Sequence, residues 1–231
     1  MLKTERMDRV RAALRAQGLT QMIVCDPKSV WYLTGVAVEP YERLLALYLP
    51  TEGEPVLFLN RLLNVPEPPC RTVWHTDTDK PVAQIAEVVD AGKPLGIDKE
   101  WPAKFLIPLM ETHPGMQVVL SSDCVDDCRA CKDAEEQALM REASRINDAV
   151  NEAAKHYIKA GMTEREVAEF IDAQFRAHGC EGPSFTTIVS FGANAADPHH
   201  EPDDTVLKEG DCVLFDMGCV KSRYCSDMTR T

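Results

Sequence analysis

The segment 183–231 constrains the fold more than any other part of the chain, because it reads as strands and turns that carry acidic side chains. The apolar run 212–217 is typical of a β-strand, and 224–229 predicts its antiparallel partner. Gly218, Lys221 and Ser222 provide turn-forming residues between the two runs. The pattern therefore predicts a β-hairpin that turns at Lys221 and Ser222.

Two aspartates, Asp216 and Asp227, lie on this predicted hairpin, eleven residues apart. A turn at Lys221 and Ser222 would place their carboxylates directly opposite each other on one face. Like charges in that arrangement repel, and burying them without a partner is costly. A bound cation relieves both penalties, and hard divalent cations prefer carboxylate oxygens. We therefore interpret Asp216 and Asp227 as metal ligands, against the simpler alternative of surface acids beside turns.

Composition limits the other possibilities. The 231 residues suffice for one large or two modest domains, and the net charge of −12 with a pI near 5.0 argues against nucleic-acid or anionic membrane partners. No apolar run approaches the roughly 20 residues that span a bilayer, and the charged N-terminus lacks the apolar core of a signal peptide. Nine scattered cysteines fit reduced thiols. We expect a cytoplasmic protein.

The first half of the chain alternates between helix and strand patterns, which predicts an α/β domain over residues 1–127 built around a mixed sheet. No glycine-rich phosphate loop occurs in it, and a supporting or gating role fits it best. The predicted elements are a helix at 4–19, a strand at 21–25, a helix at 27–33, strands at 43–49 and 55–59, a proline-rich loop at 62–71, a strand at 73–75, a helix at 82–89, a strand at 95–98, a helix at 102–112 and a strand at 117–120.

A second domain is predicted over residues 128–231, after a polar, cysteine-containing stretch. A long amphipathic helix at 133–158 is followed by a second helix at 163–178. Thr163 and Glu166 have the spacing of a capping box. From residue 184 onward the pattern is strand and turn only, which predicts an α+β domain.

Several motifs of this chain resemble those of one enzyme family. They are G-A-N-A-A-D-P-H-H at 192–200, D-M-G at 216–218, S-D-M-T-R-T at 226–231, R-A-C-K-D-A-E-E at 129–136 and P-Y-E-R-L at 40–44. Together they resemble the pita-bread metallopeptidases, in the branch of the Xaa-Pro dipeptidases (prolidases) and aminopeptidase P. The resemblance implies a creatinase/prolidase-like N-terminal α/β domain, for gating and dimerisation, followed by the first half of an α+β pita-bread catalytic domain.

The resemblance also implies a reaction and a cofactor. Members of the family hydrolyse the Xaa-Pro bond with two divalent metal ions, commonly Mn²⁺, with Co²⁺ or Zn²⁺ as alternatives, which activate a water molecule. By resemblance, Asp216 would chelate one ion and Asp227 would bridge both. His199 would be the catalytic histidine that hydrogen-bonds the substrate, and the neighbouring His200 would shape the substrate pocket. Taken alone, the two histidines fit a polar loop after Pro198 better than a catalytic role.

Three further ligands of the family, a histidine and two glutamates, follow the second aspartate, whereas no histidine follows Asp227 in this sequence. We therefore expect the 231-residue polypeptide to carry two of five ligands and to be inactive alone, as part of a longer enzyme. The expected partners are a proline-containing di- or oligopeptide substrate and a second copy of the chain in a homodimer. The alternatives are a non-catalytic peptide- or protein-binding module of the same fold and a creatinase-like amidinohydrolase.

Three cysteines, Cys124, Cys128 and Cys131, have the C-x₃-C-x₂-C spacing of iron–sulfur ligands in radical enzymes. The three cysteines lie just before a long predicted helix, in the segment that resembles the interdomain link of the metallopeptidases. We therefore disfavour a cluster there. The remaining cysteines are interpreted as small core residues.

Overall fold

The computed structural model describes residues 2–65 and 67–231, so that Met1 and Pro66, which belongs to the predicted loop 62–71, lie outside the described residues. The chain divides into two compact units, Met1–Cys131 and Lys132–Thr231. The sequence interpretation placed this boundary four residues earlier, at 127/128. A helix at Asp123–Ala130 accounts for the difference, because its Cys124 and Val125 are buried in the core of the first unit.

The first unit is a six-stranded mixed sheet with helices on both faces. Its helices are α1 (Thr4–Ala16), α2 (Pro27–Thr34), α3 (Pro81–Ala86), α4 (Ala103–Thr112) and α5 (Asp123–Ala130). Its strands are β1 (Gln21–Val24), β2 (Ala46–Pro50), β3 (Val56–Asn60), β4 (Arg71–His75), β5 (Leu95–Ile97) and β6 (Val118–Leu120), in the order β4-β3-β2-β1-β5-β6. The pairs β1/β2 and β2/β3 are antiparallel and the others are parallel.

Strand β1 shows why this unit has three layers. All four of its residues are buried, and alternate side chains enter two different cores. Met22 and Val24 pack with residues of α1, α2 and α5, whereas Ile23 packs with residues of α3 and α4. A strand buried on both faces reads as a continuous apolar run, which is how the sequence presents it.

Several local predictions for this unit need correction. Strand β2 begins at Ala46, three residues after the predicted start. Helix α1 ends at Ala16, three residues before the predicted end at residue 19. Helix α5 was not predicted, because its sequence D-C-V-D-D-C-R-A is dominated by charge. Helix α2 was predicted correctly and ends at Gly35, whose φ of 75° requires a left-handed backbone.

The second unit consists of two long helices, α6 (Ala134–Tyr157) and α7 (Glu164–Ala177), and two small antiparallel sheets. Capping boxes begin both helices, Asp133 with Glu136 in α6 and Thr163 with Glu166 in α7. The strands are β7 (Gly182–Pro183), β8 (Ile188–Phe191), β9 (Val213–Met217), β10 (Cys219–Lys221), β11 (Tyr224–Cys225) and β12 (Met228–Arg230). One sheet has the order β11-β10-β7 and the other β12-β9-β8.

The sheet β12-β9-β8 has one face in the core and one face that carries polar groups. Val189, Phe215 and Met217 are buried in a core that also contains residues of α6 and α7. Because successive residues of a strand point to opposite faces, Asp216 belongs to the other face. No helix within residues 2–65 and 67–231 has the length and hydropathy needed to span a membrane.

Candidate functional site

One long hairpin runs through both small sheets of the second unit: β9 and β10 form its first arm, and β11 and β12 form its second arm. Lys221 pairs with Tyr224, so the turn consists of Ser222 and Arg223, whose φ values are 50° and 67°. Positive φ at both central residues is the geometry of the two-residue turns that join antiparallel strands. The predicted turn at Lys221 and Ser222 is thus wrong by one residue, because neither Ser222 nor Arg223 is a residue type that usually marks such a turn.

This turn shifts the pairing of the two aspartates. Asp216 lies opposite Thr229 on one side and opposite Ile188 on the other, so it occupies the central strand of its sheet. The same register places Asp227 across from Gly218. The prediction that the carboxylates stand directly opposite each other is therefore wrong. Asp227 is two residues before Thr229, so the alternation of the strand, continued by two residues, would place it on the face of Asp216 as a diagonal neighbour.

One oxygen of Asp216 is not satisfied by the protein. Its Oδ1 is buried and has no hydrogen-bond partner among the described residues. Buried carboxylate oxygens are costly without a donor or a cation, and such an orphan calls for an explanation. Asp227, by contrast, is exposed. A divalent cation between the two side chains would satisfy Asp216 Oδ1, so the donor set fits the metal role inferred from the sequence.

Gly218 allows the chain to turn from one sheet into the other beside these aspartates. A Cβ atom at this position would overlap the carbonyl oxygen of Ser226 and the hydroxyl of Ser184. The Ser184 hydroxyl donates to the Ser226 carbonyl at 2.8 Å, and the Cys219 N–H donates to the Ser226 hydroxyl at 3.0 Å. Only glycine fits here, and the residue preceding Asp227 is thereby fixed on both sides.

The two candidate histidines follow β8, after a 3₁₀ turn at Gly192–Ala196. His199 is exposed, and its backbone N–H donates to Asp197 Oδ1 at 3.0 Å. His200 points into the protein, where its Nε2 lies 2.6 Å from Glu164 Oε2. With Glu164 ionised, its oxygens only accept hydrogen bonds, and Nε2 of His200 would be the donor in this contact. Within the described residues, no hydrogen bond joins either histidine to Asp216 or Asp227.

Glu164, in the first turn of α7, is a site residue that the sequence analysis missed. Its side chain is 0% exposed. Its Oε1 accepts hydrogen bonds from Phe191 N at 2.7 Å and from Asn194 Nδ2 at 3.0 Å. Its Oε2 accepts from His200 Nε2 and from Asp203 N at 3.2 Å. We refer to Glu164 with these four partners as the Glu164 network.

Three members of this region, Glu164, His200 and Asp203, place one potential ligand atom each within 4.8 Å of one another. They form the one such trio in residues 2–65 and 67–231. Hydrogen bonds from Thr205 lower the pKa of the Asp203 carboxyl. Both oxygens of Glu164 already accept two hydrogen bonds each, so a cation would have to displace donors. The trio therefore fits a hydrogen-bonded structural role better than a metal site.

The three cysteines with iron–sulfur spacing do not form a trio of this kind within the described residues. Cys124 is buried, Cys128 is half-buried against the same core, and Cys131 is exposed. Burial, with a smaller effect from the Asp123 charge, raises the pKa of Cys124 to about 11. These thiols are core and surface residues. The interpretation of the other cysteines as core residues is wrong for Cys212 and Cys225, which are exposed.

Comparison with known proteins accounts for both units. Residues 6–131 match the creatinase/prolidase N-terminal domain, and residues 138–231 match metallopeptidase family M24. The chain belongs to the creatinase/prolidase group of M24 metallopeptidases. The expected fold, a creatinase-like N-terminal domain followed by part of a pita-bread domain, is confirmed.

Two of the similar proteins come from staphylococci. An uncharacterized peptidase of Staphylococcus epidermidis is 31% identical over 226 residues, which are 96% of this chain and 64% of that protein. A counterpart from Staphylococcus aureus is 33% identical over 219 residues, 90% of this chain and 60% of that protein.

Solved structures of peptidases have a similar fold. A recombinant prolidase from Thermococcus sibiricus has a TM-score of 0.86 at 28% identity and covers 100% of this chain, which spans 65% of that structure. A dipeptidase from Pyrococcus horikoshii has a TM-score of 0.85 at 30% identity, over 97% of this chain and 64% of its own. This M24 chain thus spans under two thirds of the length of these relatives.

Proposed function

We propose that this M24 chain contributes to a proline-specific metallopeptidase, an Xaa-Pro dipeptidase or aminopeptidase with a dinuclear metal centre. The observation that carries the proposal is the buried Oδ1 of Asp216, which has no hydrogen-bond partner among the described residues. A buried carboxylate oxygen without a donor, close in the chain to a second acidic residue, is suited to a divalent cation. Mn²⁺ is the first candidate, and Co²⁺ and Zn²⁺ are alternatives.

In this proposal each site residue has one task. When bound, the two ions would supply Lewis-acid activation of water and of the scissile carbonyl. Asp216 would help to hold one ion, and Asp227 would help to hold both. His199, whose ring is exposed, would donate a hydrogen bond to the substrate where negative charge develops on the carbonyl oxygen. His200 lies in the Glu164 network and would keep the loop that carries His199 in place.

The substrate class follows from the relatives and from the chemistry of the bond. The structures from T. sibiricus and P. horikoshii are a prolidase and a dipeptidase. An Xaa-Pro bond is a tertiary amide without an N–H. A site specific for it cannot accept a hydrogen bond from the scissile nitrogen to orient the substrate. The substrate would be a proline-containing di- or oligopeptide, and a homodimer is the assembly that the family resemblance suggests.

The test is a comparison of two polypeptides. One is the 231-residue chain, and the other is a chimera extended with the part of the S. epidermidis relative that the match does not cover. With Mn²⁺, we expect the chimera to hydrolyse Gly-Pro or Arg-Pro-Pro but not the matched alanine peptides, and the 231-residue chain to be inactive. D216N and D227N in the chimera should each lower kcat/KM at least a hundredfold, whereas the exposed control E209Q should not.

The alternative functions give different results in the same assay. Peptide binding without hydrolysis by the metal-loaded chimera would favour a non-catalytic module. Hydrolysis of creatine without hydrolysis of Xaa-Pro peptides would favour an amidinohydrolase. Either result would contradict the proposed peptidase activity.

A further inference from the structure

Glu164 contacts both ends of the loop that carries the candidate catalytic histidine. Phe191 N, at the last residue of β8, donates to Glu164 Oε1, and Asp203 N donates to Oε2. The eleven residues between them leave the sheet and return to the same carboxylate. His199 lies within this loop and its ring is exposed, so its position depends on how the rest of the loop is held.

Two side chains of the loop reinforce this attachment. Asn194 Nδ2 donates to Glu164 Oε1 at 3.0 Å and to Thr205 Oγ1 at 3.1 Å, which uses both of its hydrogens. The Nε2 proton of His200 is directed at Glu164 Oε2, at 2.6 Å. One buried carboxylate therefore accepts four hydrogen bonds, which is the full capacity of its two oxygens.

The backbone of α7 contributes contacts in the opposite direction. The first N–H groups of a helix have no partner within the helix. Glu164 N donates to Thr205 O, and Arg165 N donates to Asp203 O, each at 3.2 Å. Just beyond, Val206 forms an isolated bridge with Thr163. The loop and the start of α7 thus satisfy each other's polar groups.

We propose that Glu164 is a positioning residue for His199. It fixes the loop 192–203 through the Glu164 network and has no role in holding metal. The inference rests on the proposed function, because His199 matters for catalysis only if the chain contributes to the peptidase. The attachment itself is a property of this chain, so it can be measured without activity.

The experiment is amide hydrogen exchange and ring ¹⁵N NMR on the 231-residue chain, with E164Q compared with E166Q. Glutamine keeps the volume of Glu164 but removes its charge and one acceptor oxygen. Glu166 is the matched control, because it lies in the same turn and contacts Thr163 but no residue of the loop. We expect E164Q to increase exchange of the loop amides at least tenfold and to shift the His200 Nε2 resonance, with α6 unchanged. E166Q should leave the exchange rates of the loop amides and the His200 ring resonance as they are in the wild type.

A second variant covers the case in which E164Q fails to fold. H200Q retains an amide donor that can reach Glu164, whereas H200A does not. Loop exchange should be near wild type in H200Q and raised in H200A. Equal loop protection in wild type and E164Q, or equal loosening by E164Q and E166Q, would overturn the inference.

The active chimera provides a separate readout. There, E164Q should lower kcat more than it raises KM, because the misplaced His199 would act mainly in the transition state. A chimera inactive on every Xaa-Pro peptide would refute the proposed function. The positioning role would still be decided by the exchange measurement.

Discussion

Thr229, not Asp227, lies opposite Asp216 in the β9/β12 ladder. Continued to Asp227, this register makes the two aspartates diagonal neighbours, a relationship that typically separates Cα atoms by about 7–8 Å. Carboxylates at this distance repel less than a directly opposed pair. They also leave space between them for ions, and paired catalytic ions are about 3.5–4 Å apart. The observed register is thus compatible with a shared metal centre.

The unpartnered oxygen of Asp216 predicts that D216N changes stability in opposite directions with and without metal. In EDTA, D216N should raise the free energy of unfolding by roughly 1 kcal/mol, because it removes the negative charge from a buried oxygen that has no donor. With saturating Mn²⁺, the wild type should become the more stable protein, because ligand binding stabilises only the folded state. Urea unfolding measures both values. The exposed control E209Q should change neither, and a D216N protein less stable in EDTA would contradict the interpretation.

The close approach at Gly218 predicts that G218A destabilises the second unit by about 2–3 kcal/mol or more, because the added Cβ would meet the Ser226 backbone. G92A is the matched control. The nearest atom to its added Cβ is Asp90 Oδ1 at 3.2 Å, on a side chain that can move. Urea denaturation compares the two variants. If G218A were as stable as G92A, the close approach of the Ser226 backbone to Gly218 would be contradicted.

The capping box of α7 predicts a loss of about 1 kcal/mol of stability for T163A. Thr163 Oγ1 accepts a hydrogen bond from Glu166 N at 3.2 Å, and Thr163 N donates to Glu166 Oε2 at 2.8 Å. T163S keeps the hydroxyl and should retain most of the stability. Thermal unfolding followed by circular dichroism measures the difference. Equal losses in T163A and T163S would mean that the methyl group, not the cap, provides the stability.

Burial predicts unequal reactivity of two nearby thiols, Cys124 and Cys131. The pKa of Cys124 is raised to about 11, so about one molecule in a thousand carries the thiolate at pH 8. Alkylation of Cys124 should accelerate about tenfold between pH 8 and pH 9, because its thiolate fraction rises in that proportion. Cys131 is exposed and should react first with iodoacetamide at pH 8. Mass spectrometry gives both rates, with the urea-unfolded chain as control. Equal rates in the native protein would contradict the burial of Cys124.

Much of the first unit could be predicted from the sequence, because its strands are continuous apolar runs and its helices are amphipathic. The strand starting at Gln21 and the helix ending before Gly35 depend on local patterns of this kind. Helix α5 was missed because four of its eight residues are charged and only two, Cys124 and Val125, are buried, so the sequence shows no apolar periodicity. Its position is determined by packing against the rest of the core, which a local pattern does not reveal.

The candidate site was only partly predictable. Asp216 and Asp227 were recognised from their motif, but their register depends on a turn, at Ser222 and Arg223, that lacks the usual glycine or asparagine. Glu164 was missed because a glutamate in the first turn of a helix is usually exposed. Its neighbours Thr163 and Glu166 form a capping box, which accounts for an acidic first turn without a buried site. Its partners Phe191, Asn194 and His200 are 27, 30 and 36 residues away in the chain. Only tertiary structure brings them together.

The most direct test of the metal site is anomalous diffraction from crystals of this chain soaked with Mn²⁺. The account predicts a peak within about 2–2.5 Å of Asp216 Oδ1, adjacent to Asp227 and lost in D216N. Mn²⁺ bound instead by Glu164, His200 and Asp203, with no density at Asp216, would contradict it.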